Sequence, residues 1–268
     1  MVGLDPRGQE AGIGNLSQEF LEEALRLWVP AVRYLEETDS TNRIAMEWGT
    51  DGAVDRSLVV ADSQTAGRGR LDRSWFSPPG SSLLFSLVLR PGIVVEDLSL
   101  LNLAAAVSVA GAISESGAEA RVKWPNDVLI DGRKVAGILA EASVELGRAV
   151  LLVLGIGINV NIAEEEFPEE LRQTATSIMS STGGRQDRVR LLVRFLQRFK
   201  VLYEGLPTHP AERILAVYKP LCETLGKRVR VELPDETFED EAIDIHANGG
   251  LVLASGRVVR VGDVVHLR

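Results

Sequence analysis

Apolar residues along this chain come in two textures, long continuous runs before Pro220 and short alternating runs after it. Residues 17–29 place Phe20, Leu21, Ala24, Leu25 and Trp28 at helical spacing, which predicts a short amphipathic helix ended by Pro30. Residues 32–36 read as a short strand, 43–48 as a short helix, 57–62 as a β-branched strand and 82–89 as an apolar strand stopped by Pro91-Gly92. Residues 98–116 are apolar on nearly every face, as in a helix buried against a sheet, and Gly117 is its natural stop. The pattern predicts one strand over 121–130, turned at Asp131-Gly132 into an antiparallel return strand over 134–141. Residues 149–162 form a further strand, apolar until Asn159 and Asn161; an Asn is costly inside a core strand, so these tips point to a strand that ends in a site. After a poorly patterned connection over 167–181, residues 187–203 carry Leu191, Leu192, Phe195, Phe199 and Leu202 on one helical face, and 210–219 form a shorter helix ended by Pro220.

Beyond Pro220 the pattern predicts strands over 228–233, 238–246, 251–254, 258–261 and 264–267, with turns at Pro234-Asp235 and Asn248-Gly249-Gly250. Five short strands in so few residues read as a small barrel. The expected organisation is a leader with one short helix (1–30), an α+β domain with a mixed or antiparallel sheet and packed helices (31–220), and the barrel (221–268). One helix in the leader is too little for a helix-turn-helix, which needs at least two packed helices.

Composition narrows the classes. The chain has 268 residues, 45% of them hydrophobic, and a formal net charge of -9, so general nucleic-acid binding has no electrostatic support. A single cysteine, Cys222, excludes an intrachain disulfide and reads as a buried, inert thiol. No stretch approaches the roughly 20 uninterrupted apolar residues of a membrane span, so a cytoplasmic protein without membrane or DNA partners is expected. His209, His246 and His266 have no metal-site spacing, and the common P-loop, zinc-protease and hydrolase-elbow motifs are absent.

Against this acidic background, residues 64–77 are cationic: Arg68, Arg70 and Arg73 fall within six residues, interleaved with Gly67 and Gly69 and followed by Trp75. Glycine lets backbone approach a ligand, and arginine's planar donor fork matches phosphate or carboxylate, although such a run read alone is also an ordinary solvated turn. A second polar block is Lys123-Trp124-Pro125-Asn126-Asp127 and a third is Gly155-Ile156-Gly157-Ile158-Asn159. If these meet, Arg68, Arg70, Arg73, Lys123 and Lys134 surround the carboxylate Asp127. Like charges ~4 Å apart cost on the order of 4 kcal/mol at an effective dielectric near 20, so the cluster calls for a multiply anionic ligand or for a loop that stays disordered until one arrives. Asp127 with phosphate oxygens could hold Mg²⁺; alone it reads equally as a strand-end ion-pair partner. Lys134 is either a snorkelling edge residue or a point charge for a substrate carboxylate, with Gly137 leaving room beside it. Trp75 is suited to cover a base or an apolar ligand body, and Ser40-Thr41-Asn42 is a helix N-cap whose free N–H groups and hydroxyls could face a polar ligand.

Ser40-Thr41-Asn42, Gln64-Thr65-Ala66-Gly67-Arg68-Gly69-Arg70 with Trp75, the 123–127 block, Lys134-Val135-Ala136-Gly137-Ile138 and the run from Gly155 to Asn161 stand in an order that resembles the biotin protein ligases, from about Thr38 to the C-terminus. The resemblance implies a catalytic fold like that of class II aminoacyl-tRNA synthetases with a C-terminal SH3-like barrel. It implies activation of biotin with MgATP to biotinyl-adenylate, then transfer to a lysine of a biotin carboxyl carrier domain. By similarity, Lys134, Arg68 and Asp127 carry the chemistry. Ser40, Thr41, Asn42, Gln64, Gly67, Arg68, Gly69, Arg70, Lys134, Gly137 and Gly155 bind biotin or its adenylate. Arg70, Arg73, Trp75, Lys123, Asn126 and Asn159 face ATP, and Asp127 the metal. The chain departs from the family at Leu71-Asp72, where a small or basic pair is frequent. Its N-terminus implies a ligase without the DNA-binding domain of bifunctional members. A homodimer through sheet edges is an expectation. A lipoate or octanoate ligase and a biotin-sensing module without transfer remain alternatives.

Overall fold

The computed structural model describes residues 16–206, 210–233, 235–260 and 262–267. Residues 1–15 and His209 lie outside the described residues.

The described residues begin with α1 (Gln18–Leu25), capped by the Ser17 hydroxyl, then run through β1 (Val32–Thr38), α2 (Thr41–Thr50), β2 (Ser57–Gln64), β3 (Ser82–Leu89) and α3 (Leu98–Ser114). There follow β4 (Ala120–Lys123), β5 (Asp127–Ile130), β6 (Arg133–Glu145) and β7 (Arg148–Asn159), then the helices α4 (Ile178–Thr182), α5 (Arg188–Glu204) and α6 (Pro210–Tyr218). These seven strands form one sheet in the order β1-β2-β3-β7-β6-β5-β4, parallel at β1–β2 and antiparallel elsewhere. The fold is therefore α+β with a mixed sheet.

Alternation along the strands separates the two faces. One presents Leu58, Val60, Phe85, Leu87, Leu152 and Leu154 to a large core shared with α3 and α5. Twelve of α3's seventeen residues are buried, many of them alanine, which lets the helix sit close to both neighbours. Contrary to the expectation that no stretch approaches a membrane span, residues 95–114 are long and apolar enough to cross one by length and composition, yet 67% of the 18-residue segment that meets this test is buried in the protein. The opposite face packs Val59, Val88, Leu151 and Val153 under Ala45 of α2.

The strand expected over 121–130 is two strands, folded back on each other at Trp124-Pro125-Asn126, because Pro125 has no N–H to contribute to a ladder. The turn at Asp131-Gly132 then leads to β6, with both residues at positive φ. After α6, β8 (Arg228–Glu232), β9 (Thr237–Ile245), β10 (Leu251–Leu253), β11 (Val258–Val259) and β12 (Asp263–His266) form a second, antiparallel sheet ordered β11-β10-β9-β8-β12.

Candidate active site

Cross-strand partners share a face of a sheet. Pairing alone therefore aligns one row of Lys123, Asp127, Gly137, Gly157 and Leu84 across β4, β5, β6, β7 and β3, and a neighbouring row of Leu139, Gly155 and Ser86. Both rows lie on the α2 face, beyond that helix's N-terminus. Three glycines among eight positions leave a trough where side chains would otherwise stand.

Each glycine is needed for what lies over it. A Cβ on Gly157 would sit 2.8 Å from Trp75 Cε2, and one on Gly137 3.1 Å from Trp75 Cζ3, so the indole rests on bare backbone. The Trp75 indole N–H is buried and has no partner. A Cβ on Gly155 would lie 1.9 Å from Asn42 Oδ1. Buried Asn42 reaches across three strands there, donating through Nδ2 to Glu141 Oε2 (2.6 Å) and Leu139 O (3.3 Å) and accepting from the Ser86 hydroxyl (2.7 Å).

The N-terminus of α2 is capped from a distance. Ser40, at the N-cap, makes no side-chain capping bond; the Thr41 N–H and hydroxyl instead donate to Gln64 Oε1 at 2.7 and 3.0 Å. With that oxygen engaged, the Gln64 amide nitrogen lies against Gly67, 3.0 Å from where a Cβ would stand.

The loop after Gln64 is a small hairpin. Arg68 pairs with Ser74, Trp75 N donates to Gly67 O (2.9 Å), and exposed Leu71 sits at its tip at a φ of 54°. Arg70 donates to Asn126 Oδ1 (3.2 Å) and to Gly262 O, just before β12 of the second sheet (2.9 Å). Burial, above all, pulls the Arg70 pKa below its ordinary value. Arg73 pairs with Asp263 at 2.6 Å, and Arg68 Nη2 lies 3.7 Å from Glu141 Oε1.

Lys134 is placed by a β-bulge. Leu129 pairs with Lys134 but the adjacent Val128 pairs with Ala136, so β6 carries an extra residue. That residue turns Lys134, which would otherwise share the core face with Ala136, onto the trough face. Its Nζ is 2.6 Å from Asp127 Oδ1 and 5.6 Å from the Trp75 ring centroid. The backbone is held by Thr174 O, which accepts from Lys134 N (2.7 Å), and by Thr176 N, which donates to Lys134 O (2.9 Å). The weakly patterned 167–181 connection thus fixes the central cation.

A cavity of about 50 Å³ remains beneath the loop. Ser40, Thr41, Asn42, Gln64, Arg68, Gly69, Arg70, Trp75, Asn126, Lys134, Gly137 and Gly155 all line it, joined by Leu84, Ile138, Leu139, Ile156 and Gly157. Gly67, Arg73, Lys123, Asp127 and Asn159 stand outside that lining. Asn159 is buried, donates to Thr176 O (3.0 Å) and keeps Oδ1 without a partner, whereas Asn161 is bonded both ways to the Gln186 backbone and is a structural pin. Among the described residues no three His, Cys, Asp or Glu side chains gather to hold a metal.

The bare cation cluster read from the sequence is corrected in one respect: Arg68, Arg73 and Lys134 each face a carboxylate, and two of those, Glu141 and Asp263, belong to none of the motifs. Ser86 and the 174–176 segment were likewise missed. Only Glu141 had a signal, the period-two spacing Gly137, Leu139, Glu141.

Residues 34–159 match the biotin/lipoate A/B protein ligase family. The chain is 36% identical over 250 residues to the bifunctional ligase/repressor BirA of Bacillus subtilis, covering 92% of this chain and 77% of that protein. It is 38% identical over 243 residues to the biotin–[acetyl-CoA-carboxylase] ligase of Mycobacterium tuberculosis, covering 87% of each. Among solved structures it is similar to the biotin protein ligase from Aquifex aeolicus in complex with biotin and ATP, with a TM-score of 0.76, 31% identity and coverage of 89% of this chain and 99% of that one.

Proposed function

This chain belongs to the biotin/lipoate A/B protein ligase family, and on that premise we propose how its residues serve as a biotin protein ligase. In the first step a biotin carboxylate oxygen attacks the α-phosphorus of ATP, the bond to pyrophosphate breaks, and biotinyl-adenylate forms. In the second a carrier-domain lysine attacks the acyl carbon, the bond to AMP breaks, and an amide forms as the amine loses its proton. The acceptor is a carboxylase carrier domain, as the name of the mycobacterial relative indicates.

The observation that supports this reading best is Lys134, turned by the bulge onto a glycine-floored trough beneath an arginine loop. Two anions must meet for the first step, and a fixed cation between them offsets their repulsion. Lys134 takes that place for the biotin carboxylate and the α-phosphate. Arg68 and Arg70 bind the anionic intermediate, while Arg73 and Lys123 face the outer phosphates. The Ser40-Thr41-Asn42 turn and Gln64 hold the polar head of biotin, and Trp75 and the free Asn159 oxygen take the adenine. Alignment does the rest, and no covalent enzyme intermediate is required.

The Asp127 carboxylate, partly exposed and at the trough's edge, fits Mg²⁺, which keeps most of its waters and draws its other oxygens from phosphate. Asp127 would hold the ion, whose chemistry is to screen phosphate charge.

Biotin incorporation into a purified carrier domain with MgATP tests the reading, with Lys134→Ala in parallel. Labelling by the wild type and at least a hundredfold loss in the variant is the expected outcome. Wild-type labelling with lipoate and not biotin would overturn it, as would biotin binding without pyrophosphate release.

A further inference from the structure

We infer that Glu141 is a positioning residue that ties the 67–75 loop down over the trough and so sets how long the adenylate is retained. The inference rests on the ligase reading above. Glu141 follows Gly137 and Leu139 on the trough face of β6 and divides its two oxygens between different elements. Oε2 accepts from Asn42 Nδ2 at 2.6 Å, fixing the start of α2, and Oε1 lies 3.7 Å from Arg68 Nη2 in the loop.

The other ties of the loop run to the opposite side. Arg70 reaches Asn126 and Gly262, and Arg73 reaches Asp263, so these hold the loop to the β4–β5 turn and the second sheet. On the α2 side, Arg68–Glu141 is the charged tie among the described residues. Between them lies a cavity of about 250 Å³ lined by Arg68, Gly69, Arg70, Leu71, Leu139 and Glu141, which gives the loop space to move on that edge. A cavity of about 50 Å³ beneath the loop is too small for a ligand of biotin's size, so the loop must lift for entry and settle again afterwards. The mixed anhydride formed in the first step has to outlast the wait for a carrier, and loop closure is what shields it from water.

The magnitude follows from exposure. The Arg68 and Glu141 side chains are 52% and 35% exposed, and ion pairs of that kind alter equilibria by about two- to fivefold. Glu141 is therefore a tuner of retention, not a requirement for chemistry.

Glu141→Gln keeps the shape and an acceptor oxygen for Asn42 while removing the charge that faces Arg68. The experiment pre-forms labelled biotinyl-adenylate on the full chain, follows its release after dilution into unlabelled biotin, and measures KM and kcat for transfer. Release about two- to fivefold faster, a matching rise in biotin KM and an unchanged kcat at saturating biotin and carrier are expected. Raising salt from about 50 to about 500 mM should accelerate release from the wild type, by screening the pair, and affect the variant less. Wild-type release rates in the variant, or a salt response identical in the two, would overturn the inference. A fall in kcat with KM unchanged would also overturn it. A wild type that forms no adenylate at all would instead sink the ligase reading on which it stands.

Discussion

Gly155 has no freedom to carry a side chain, because a methyl there would stand 1.9 Å from Asn42 Oδ1. Gly155→Ala should evict the Asn42 amide and break its bonds to Ser86, Leu139 and Glu141. Overpacking of this kind costs about 1–3 kcal/mol, and biotin affinity should fall at least tenfold by calorimetric titration. Adding Asn42→Ala should recover much of the melting temperature but not the affinity; recovery of both would show that the amide has no part in binding. At this scale the sequence was informative where chemistry dictates a residue type: an arginine beside glycine, a tryptophan in a glycine-rich loop. It was silent about Ser86, because a serine inside an apolar strand looks the same whether its hydroxyl serves a site or a neighbouring turn.

Among the elements, α3 was legible in full, since a stretch apolar on every face has nowhere to go but the interior. Its alanines set the distance to the sheet and to α5, so Ala105→Leu should force them apart. A loss of about 1–3 kcal/mol lowers Tm by roughly 2–6 °C at this chain length. Specific activity of the folded fraction at 25 °C should stay as in the wild type; an unchanged Tm would mean that this contact is looser than it looks. The strands were harder. Nothing in the sequence around Val128 and Leu129 announces the bulge, which depends on which residue of β6 each one pairs with, yet that slip decides whether Lys134 faces the core or the trough. The 174–176 segment was illegible for a related reason: it acts through backbone groups, which every residue has.

At the scale of the molecule, the two sheets are joined through the site. Trp124 donates from its ring nitrogen to Gly249 O (2.9 Å) and from its backbone to Thr224 Oγ1 (3.1 Å), and that hydroxyl is 3.1 Å from His266 Nε2. The second sheet is thus a wall of the catalytic half, which no strand-by-strand reading could reveal. Burial foremost, then the charges of Lys123 and Lys227, lower the His266 pKa to about 4, with Glu223 opposing. The unfolded chain takes up this proton near pH 6.5, so between those values it binds more protons than the folded chain. Stability from this group is full above about pH 6.5 and is lost as pH falls toward 4. His266→Gln should flatten the dependence of Tm on pH in that window and leave it unaltered above pH 7; a parallel curve would assign the acid sensitivity to other groups.

Trp75 makes the molecule readable by light. Of its four tryptophans, Trp28 and Trp124 are buried in the main core, Trp48 lies under the Arg33 guanidinium 4.0 Å from its ring centroid, and Trp75 alone lines the trough, its indole N–H sealed from water and unpaired. Any occupant that lifts this ring changes its polarity and its N–H partner together, so the unlabelled protein's own fluorescence carries a record of occupancy.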